Sequence, residues 1–276
     1  MVPGSAEELY LDLMKRCLTR ALFAKPWERH TLRPARPLRR ALHWAARRLL
    51  DPLRLELVRV QRSEPEAFLE STYLASQRSE DAETMIGIRQ LDQMQACIQD
   101  VLVRGIPGDL LEAGVWRGGM TIFMRAALRA WSDVKRRVWV VDSFRGLPEP
   151  AAAQDSFGWA AGEMSASFDE VRANFTRYGL LDDQVVFLKG FFEDTLPHAP
   201  LPALAVLRVD ADLYESTRAV LTHLYPRLSV GGYAIFDDYR NLPDCRRAID
   251  EYRSSQGITE PIVGIDRHAV FWRKSR

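Results

Sequence analysis

The chain has 276 residues, long for a single domain but not excluded as one. Hydrophobic residues make up 47% and charged residues 27%, an ordinary globular balance, and a net charge of +1 gives no global attraction to nucleic acid. Cys17, Cys97 and Cys245 are scattered without a CxxC pair, and there is no apolar run of about 18 residues, so neither a disulfide framework, a zinc site nor a transmembrane helix is expected.

The first residues lack the basic start and apolar core of a signal peptide, which makes the cytoplasm the expected compartment. Residues 7 to 23 read as a helix with Leu9, Leu13 and Leu18 on one face and Leu11, Met14 and Leu22 nearby. Residues 24 to 62 hold ten arginines and are punctuated by Pro26, Pro34, Pro37 and Pro52. Within them Leu38, Leu42, Ala45 and Leu49 mark one face of a short basic helix. Such a helix either packs its leucines on the domain or a second subunit, or lies on an anionic membrane surface. Residues 1 to 82 thus read as a helical N-terminal extension with an Arg-rich insert, and residues 83 to 276 as the main domain.

Residues 83 to 104 form a helix with Ile88, Leu91, Met94, Ile98 and Val101 at helical spacing, ended by Gly105-Ile106-Pro107-Gly108. Strands and helices then alternate. Strands are expected at 109–112, 137–141, 185–188, 203–209, 233–236 and 269–272, and helices at 121–131, 167–178, 213–228 and 246–253, with a turn at Val230-Gly231-Gly232. The alternation argues for an α/β fold, a doubly wound, mostly parallel sheet with helices on both faces.

Three aspartates stand out against that pattern. Asp210 ends one apolar run, and Asp237 and Asp238 end the next, with a helix-length of chain between. A strand–helix–strand crossover makes the two strands parallel, so the three carboxylates face the crevice where open α/β sheets bind ligands. Oxygen donors of this kind suit Mg²⁺ or Ca²⁺. An Asp after a strand also serves as a helix cap or turn residue, and Asp238 could simply open the turn before Tyr239. In the first strand-to-helix loop Gly114, Gly118 and Gly119 permit close backbone approach, but the spacing is not GxGxxG. Asp142 ends the second strand, where nucleotide-binding sheets place an acid for ribose hydroxyls; a helix cap is its other reading. Loop and acid together suggest a nucleoside cofactor that needs no phosphate cradle. S-adenosyl-L-methionine fits, with its ribose on Asp142 and its amino group near Glu112.

The strings LEAGVWRGG (111–119), VDSFRGLP (141–148), RYGLLDDQV (177–185), LRVDADLYEST (207–217) and GGYAIFDDY (231–239) resemble the macrocin O-methyltransferase family almost continuously over residues 84 to 274. The resemblance implies a Rossmann-like methyltransferase domain over residues 83 to 276. It implies Mg²⁺- or Mn²⁺-dependent methyl transfer from S-adenosylmethionine to a sugar hydroxyl of a bacterial natural product, a macrolide- or aminocoumarin-like glycoside. Carried over by position, it makes Asp210, Asp237 and Asp238 the metal ligands and Asp212 the general base; a second-shell or helix-capping role is the alternative for Asp212. Cofactor contacts would come from Met85, Ile86, Glu112, Ala113, Gly114, Val115, Trp116, Arg117, Asp142, Ser143, Phe144, Ser167, Phe192 and Glu193. It also implies a small-molecule acceptor and a homo-oligomer, while the net charge of +1 argues against a nucleic-acid partner. Two departures are the longer Arg-rich stretch and a shorter, Ala-rich segment at 149–166, where the family carries a substrate lid. Two competing readings keep the fold. One is a methyltransferase acting on a lipid-linked or polysaccharide sugar at a membrane, reached through residues 25 to 62. The other is a non-catalytic cofactor-binding module, against which four acids in one crevice argue.

Overall fold

In a computed structural model of the protein, the described residues are 4–23, 46, 48, 50, 81–151, 155, 156 and 158–276, with the backbones of 27–31 and 58–62. Helix α1 (Ala6–Leu18) opens with a capping box, Ser5 accepting from the Glu8 N–H and Glu8 reaching back to the Ser5 N–H. Its buried face is Leu11, Met14 and Leu18, while Leu9 and Leu13 are about half exposed. The expected stripe is therefore rotated: the i, i+3, i+7 set starting at Leu11 meets the core, and the leucines at 9 and 13 do not. Strands β1 (Trp27–Thr31) and β2 (Val58–Arg62) pair antiparallel, with Trp27 opposite Arg62. The basic helix expected over 38–49 falls for the most part outside the described residues; Ala46, Arg48 and Leu50 have helical backbone.

The remaining strands form one seven-stranded sheet: β3 (Asp109–Ala113), β4 (Val138–Asp142), β5 (Val185–Lys189), β6 (Leu204–Val209), β7 (Leu228–Phe236), β8 (Val263–Gly264) and β9 (Val270–Arg273). Their order is β5-β4-β3-β6-β7-β9-β8, parallel from β5 to β7 and antiparallel at β9 and β8. Helices α2 (Ile88–Val103), α3 (Gly119–Ala130), α4 (Phe168–Arg177), α5 (Phe192–Thr195), α6 (Tyr214–Leu224) and α7 (Pro243–Ser255) complete the described domain. Side chains alternate between the two faces, as the period of a strand requires. Leu110, Val138, Val140, Val206 and Ile235 enter one core with residues of α1 to α4. Leu111, Trp139, Val141, Leu207, Val209 and Phe236 enter the other with α6 and α7. Strands buried on both faces explain the near-continuous apolar runs.

Three boundaries differ from the sequence expectation by four or five residues. Helix α2 begins at Ile88, not at residue 83, and 83–87 form an entry segment tied down by Glu83. That buried carboxylate accepts from Arg20 at 2.7 Å, Arg177 at 3.2 Å and the Tyr178 hydroxyl at 3.0 Å. Helix α6 stops at Leu224, because Pro226 lacks the N–H an α-helix would need, and a 3₁₀ turn follows. Strand β7 then starts at Leu228, so Val230-Gly231-Gly232 is a bulge inside a strand. The pairing jumps from Leu204–Leu228 to Val206–Tyr233, and Gly231 takes φ 86°.

Candidate active site

The strand order reverses between β3 and β6, and the carboxyl ends of β3, β4, β6 and β7 open there into a cleft of about 1050 Å³ including its mouth. Met85, Ile86, Glu112, Gly114, Val115, Trp116, Asp142, Ser143, Phe192, Asp210, Asp212, Asp237 and Asp238 all line it. Ala113, Arg117, Phe144, Ser167 and Glu193 do not. Ala113 is wholly buried in the strand. Arg117 pairs with Glu170 and lies 4.5 Å over the Trp116 ring. Phe144 packs edge-on against Phe168 at 5.2 Å. Ser167 caps α4 by accepting from the Glu170 N–H. Glu193 accepts from the Ser216 hydroxyl, and Ser216 is itself a cleft residue.

The polar floor follows from register. Glu112 on β3 sits opposite Arg208 on β6, and both point to the face covered by α2. Arg208 is 1% exposed. Its Nη1 donates to Glu112 at 2.6 Å and to Asp210 at 2.8 Å; its Nη2 donates to Asp237 at 2.8 Å and to the Gln90 amide oxygen at 3.1 Å. Burial works against the guanidinium charge, yet Asp237, Asp210 and Glu112 together hold its proton more tightly than usual. Burial pushes Glu112 up to about 8 despite Arg208 beside it. Burial, then the charge of Asp210, push Asp237 up to about 6 against the pull of Arg208. Three acids share the one Arg208 guanidinium, an arrangement that complements cationic ligands.

Asp142 clamps two loops. One of its oxygens accepts from the Val115 N–H at 2.8 Å and the other from the Phe144 N–H at 2.7 Å. Burial raises its pKa and these N–H groups oppose the rise. Gly114 lets the loop after β3 touch the loop after β6: a Cβ there would lie 1.7 Å from the Asp210 carbonyl oxygen. Asp212 sits two residues beyond Asp210 with φ 55°, a left-handed backbone that is uncommon for a non-glycine residue. Asp210, Asp237 and Asp238 each offer an oxygen within 4.8 Å of the other two.

Arg208, Thr84, Met120, Leu147, Pro148, Met164, Phe191, Ser216 and His268 also line the cleft and were not singled out from the sequence. Arg208 carried a signal: a charge inside an apolar strand needs a buried acid partner. The apolar members, scattered over α3 and several loops, carry none.

A family model described as Macrocin-O-methyltransferase (TylF) matches residues 7–274. The chain belongs to the macrocin O-methyltransferase family. It is 45% identical over 274 residues, 97% of this chain and 93% of the relative, to 8-demethyl-8-(2,3-dimethoxy-alpha-L-rhamnosyl)-tetracenomycin-C 4'-O-methyltransferase of Streptomyces olivaceus. It is 43% identical over the full length of both chains to mycinamicin III 3''-O-methyltransferase of Micromonospora griseorubida. Among solved structures, the O-methyltransferase NovP is 40% identical with a TM-score of 0.78, covering 98% of this chain and 100% of NovP. The protein is thus an S-adenosylmethionine-dependent O-methyltransferase with the Rossmann-like fold of its family.

The site fits that cofactor. Glu112 Oε2 is buried without a hydrogen-bond partner at the cleft floor, an acceptor suited to an ammonium group. Asp142 lines the cleft at the end of β4, and Trp116, Met85, Ile86, Leu147 and Phe192 supply apolar wall. No helix among the described residues is long and apolar enough to cross a membrane.

Proposed function

We propose that this protein transfers methyl from S-adenosylmethionine to a sugar hydroxyl of a bacterial natural product, a macrolide- or aminocoumarin-like glycoside. Asp210, Asp237 and Asp238 hold Mg²⁺ or Mn²⁺ in this reading, and Asp212 is the general base. The observation that carries it is the three-carboxylate cluster in the same cleft as Asp212, Glu112 and Asp142. Its donors are all oxygen, which suits a hard cation. The names of the two relatives put methylation at a 4' position of a rhamnosyl-bearing tetracenomycin and at a 3'' position of mycinamicin III, which supports a sugar hydroxyl and leaves its position to the acceptor pocket.

A divalent cation in that cluster would supply the charge that makes a nearby sugar hydroxyl easier to deprotonate. Asp212 accepts the hydroxyl proton, a contribution of roughly 10²–10⁴-fold. Glu112 fixes the cofactor's amino group and Asp142 its ribose. The cleft thereby lines up oxygen, methyl carbon and sulfur, so the oxygen–carbon bond forms as the carbon–sulfur bond breaks. No protein nucleophile is required. The homo-oligomer expected from the resemblance belongs to the same proposal and is read by light scattering.

Calorimetry with S-adenosylhomocysteine and with Mg²⁺, on wild type and Asp237→Ala, tests the site. The reading expects both proteins to bind the nucleoside and wild type alone to bind Mg²⁺. A folded wild type that binds no Mg²⁺ removes the metal from it. Turnover of Asp212→Asn on a glycoside substrate equal to wild type removes Asp212 as base.

A further inference from the structure

Arg208 lies between two ligand sites. Its four hydrogen bonds at 2.6–3.1 Å run to Glu112, Asp210, Asp237 and Gln90, and all four acceptors use its two terminal nitrogens. On the reading proposed above, Glu112 serves the cofactor's amino group while Asp210 and Asp237 serve the cation. One planar fork therefore spans both subsites. A carboxylate has two oxygens, so each acid can give one to Arg208 and the other to a ligand. Without the fork, three acids crowded on adjacent strands repel one another and lose the directions in which they point.

We infer that Arg208 is a positioning residue that joins the cofactor-amino and cation subsites into one ionic network, so that disturbing it weakens both ligands through the carboxylates it holds. Gln90 extends the network: its amide oxygen accepts from Arg208, and its amide nitrogen donates to Asp266 at 3.2 Å. Asp266 in turn accepts from the His268 and Ala269 N–H groups, fixing the loop that brings His268 to the cleft. The inference rests on the proposed function, since it assumes that both ligands bind here.

The test uses the full chain and two probes, S-adenosylhomocysteine and Mg²⁺, each titrated by calorimetry with a thermal melt as the folding control. Arg208→Lys keeps the charge and removes the fork. The expected result is a cooperative melt with both affinities lowered about tenfold or more, the size of effect seen when a partner of a metal ligand is changed. A folded Arg208→Lys with both affinities within about twofold of wild type, or with the loss confined to one ligand, overturns the inference. Should Arg208→Lys fail to fold, Glu112→Gln decides. Glu112 is no metal ligand, yet shared hydrogen bonds to Arg208 predict a Mg²⁺ affinity changed about threefold or more, as reciprocal coupling demands. An unchanged Mg²⁺ affinity refutes the network. Wild type failing to bind either probe refutes the parent reading, a result distinct from all of these.

Discussion

The sharpest steric prediction is at Gly114. Its φ is 87°, and an added Cβ would stand 1.7 Å from the Asp210 carbonyl oxygen. Reaching even 3.0 Å needs a retreat of about 1.3 Å by the loop that carries Asp210 and Asp212. Gly114→Ala therefore costs roughly 1–2 kcal/mol for the left-handed backbone and roughly 1–3 kcal/mol for the overpacking. Gly105 provides the control: its φ is 63° and nothing lies within 4 Å of an added Cβ. Gly105→Ala should cost the backbone term alone, roughly 1–2 kcal/mol. At roughly 2–4 °C per kcal/mol for a chain of this size, Gly105→Ala should melt about 2–8 °C below wild type and Gly114→Ala several degrees lower still. The second readout is S-adenosylhomocysteine affinity by calorimetry, since Gly114 lines the cleft and Gly105 does not. It should fall at least about tenfold, the scale of an ångström misplacement, in Gly114→Ala and hold in Gly105→Ala. Equal melting points and equal affinities for the two variants would refute the claim that close approach of the β3 and β6 loops builds the site.

Other outcomes follow from single contacts. Glu83→Gln removes the charge that Arg20, Arg177 and Tyr178 share, and should lower stability by about 1–3 kcal/mol in urea unfolding; no change would mean those bonds are idle. Asp244 accepts from both the N–H and hydroxyl of Ser156, at 2.6 and 2.7 Å, so it latches Ser156 onto the start of α7. Asp244→Ala should raise the acceptor KM several-fold in steady-state kinetics and leave S-adenosylhomocysteine affinity alone. Burial opposes ionisation of Glu260, but the N–H and hydroxyl of Ser275 outweigh it and hold the carboxyl down to about 2. The folded value lies below the unfolded one, so this stabilisation is present above the ordinary carboxylate range and fades as pH falls toward 2. The gap in urea midpoint between wild type and Glu260→Gln should narrow between pH 5 and pH 2.5; a constant gap contradicts it. Burial pushes the Cys97 thiol up to about 12 and raises Cys245 well above its usual range. Native alkylation at pH 8 read by mass spectrometry should therefore label Cys17 first, and early label at Cys97 would contradict the burial.

What the sequence revealed and what it hid divide along a physical line. Strands buried on both faces announce themselves as short apolar runs, and the helices between them as helical periodicity, so the alternation that makes a parallel sheet was legible, though not its strand order. Carboxylates at strand ends were legible for the same reason: the sheet fixes which end opens to ligand. Features that depend on pairing across the chain were not. Whether α1 turns Leu9 or Leu11 inward depends on the surface of α3 it meets. The bulge at Gly231 exists because β7 must pair with β6 and β9 at once, with the Gly231 N–H bonded to the Lys274 carbonyl. The Arg208–Glu112 pair required the β3–β6 register, although Arg208 shares the face of Val206, and Glu112 that of Leu110, by simple alternation.

Asp142 shows why weighing a cap against a ligand can be the wrong choice. The sequence offers two roles for an acid at a strand end, local turn-maker or ribose acceptor. In the structure it is bonded as a turn-maker: its oxygens accept backbone N–H groups from the β3 loop and from its own loop. The loops it holds contain Trp116 at φ 47° and Phe144 at φ 55°, both left-handed and both non-glycine. Such backbones persist only where surrounding bonds over-determine them. The clamp thus fixes the cleft wall from both loops at once. A carboxylate already held by backbone N–H groups loses little freedom when a diol approaches, so the structural bonds lower the cost of the functional ones. The same economy holds for Glu112, where Arg208 takes one oxygen and the other faces the cleft. In both places the carboxylate is held as a strut before it could serve as the ligand contact proposed above.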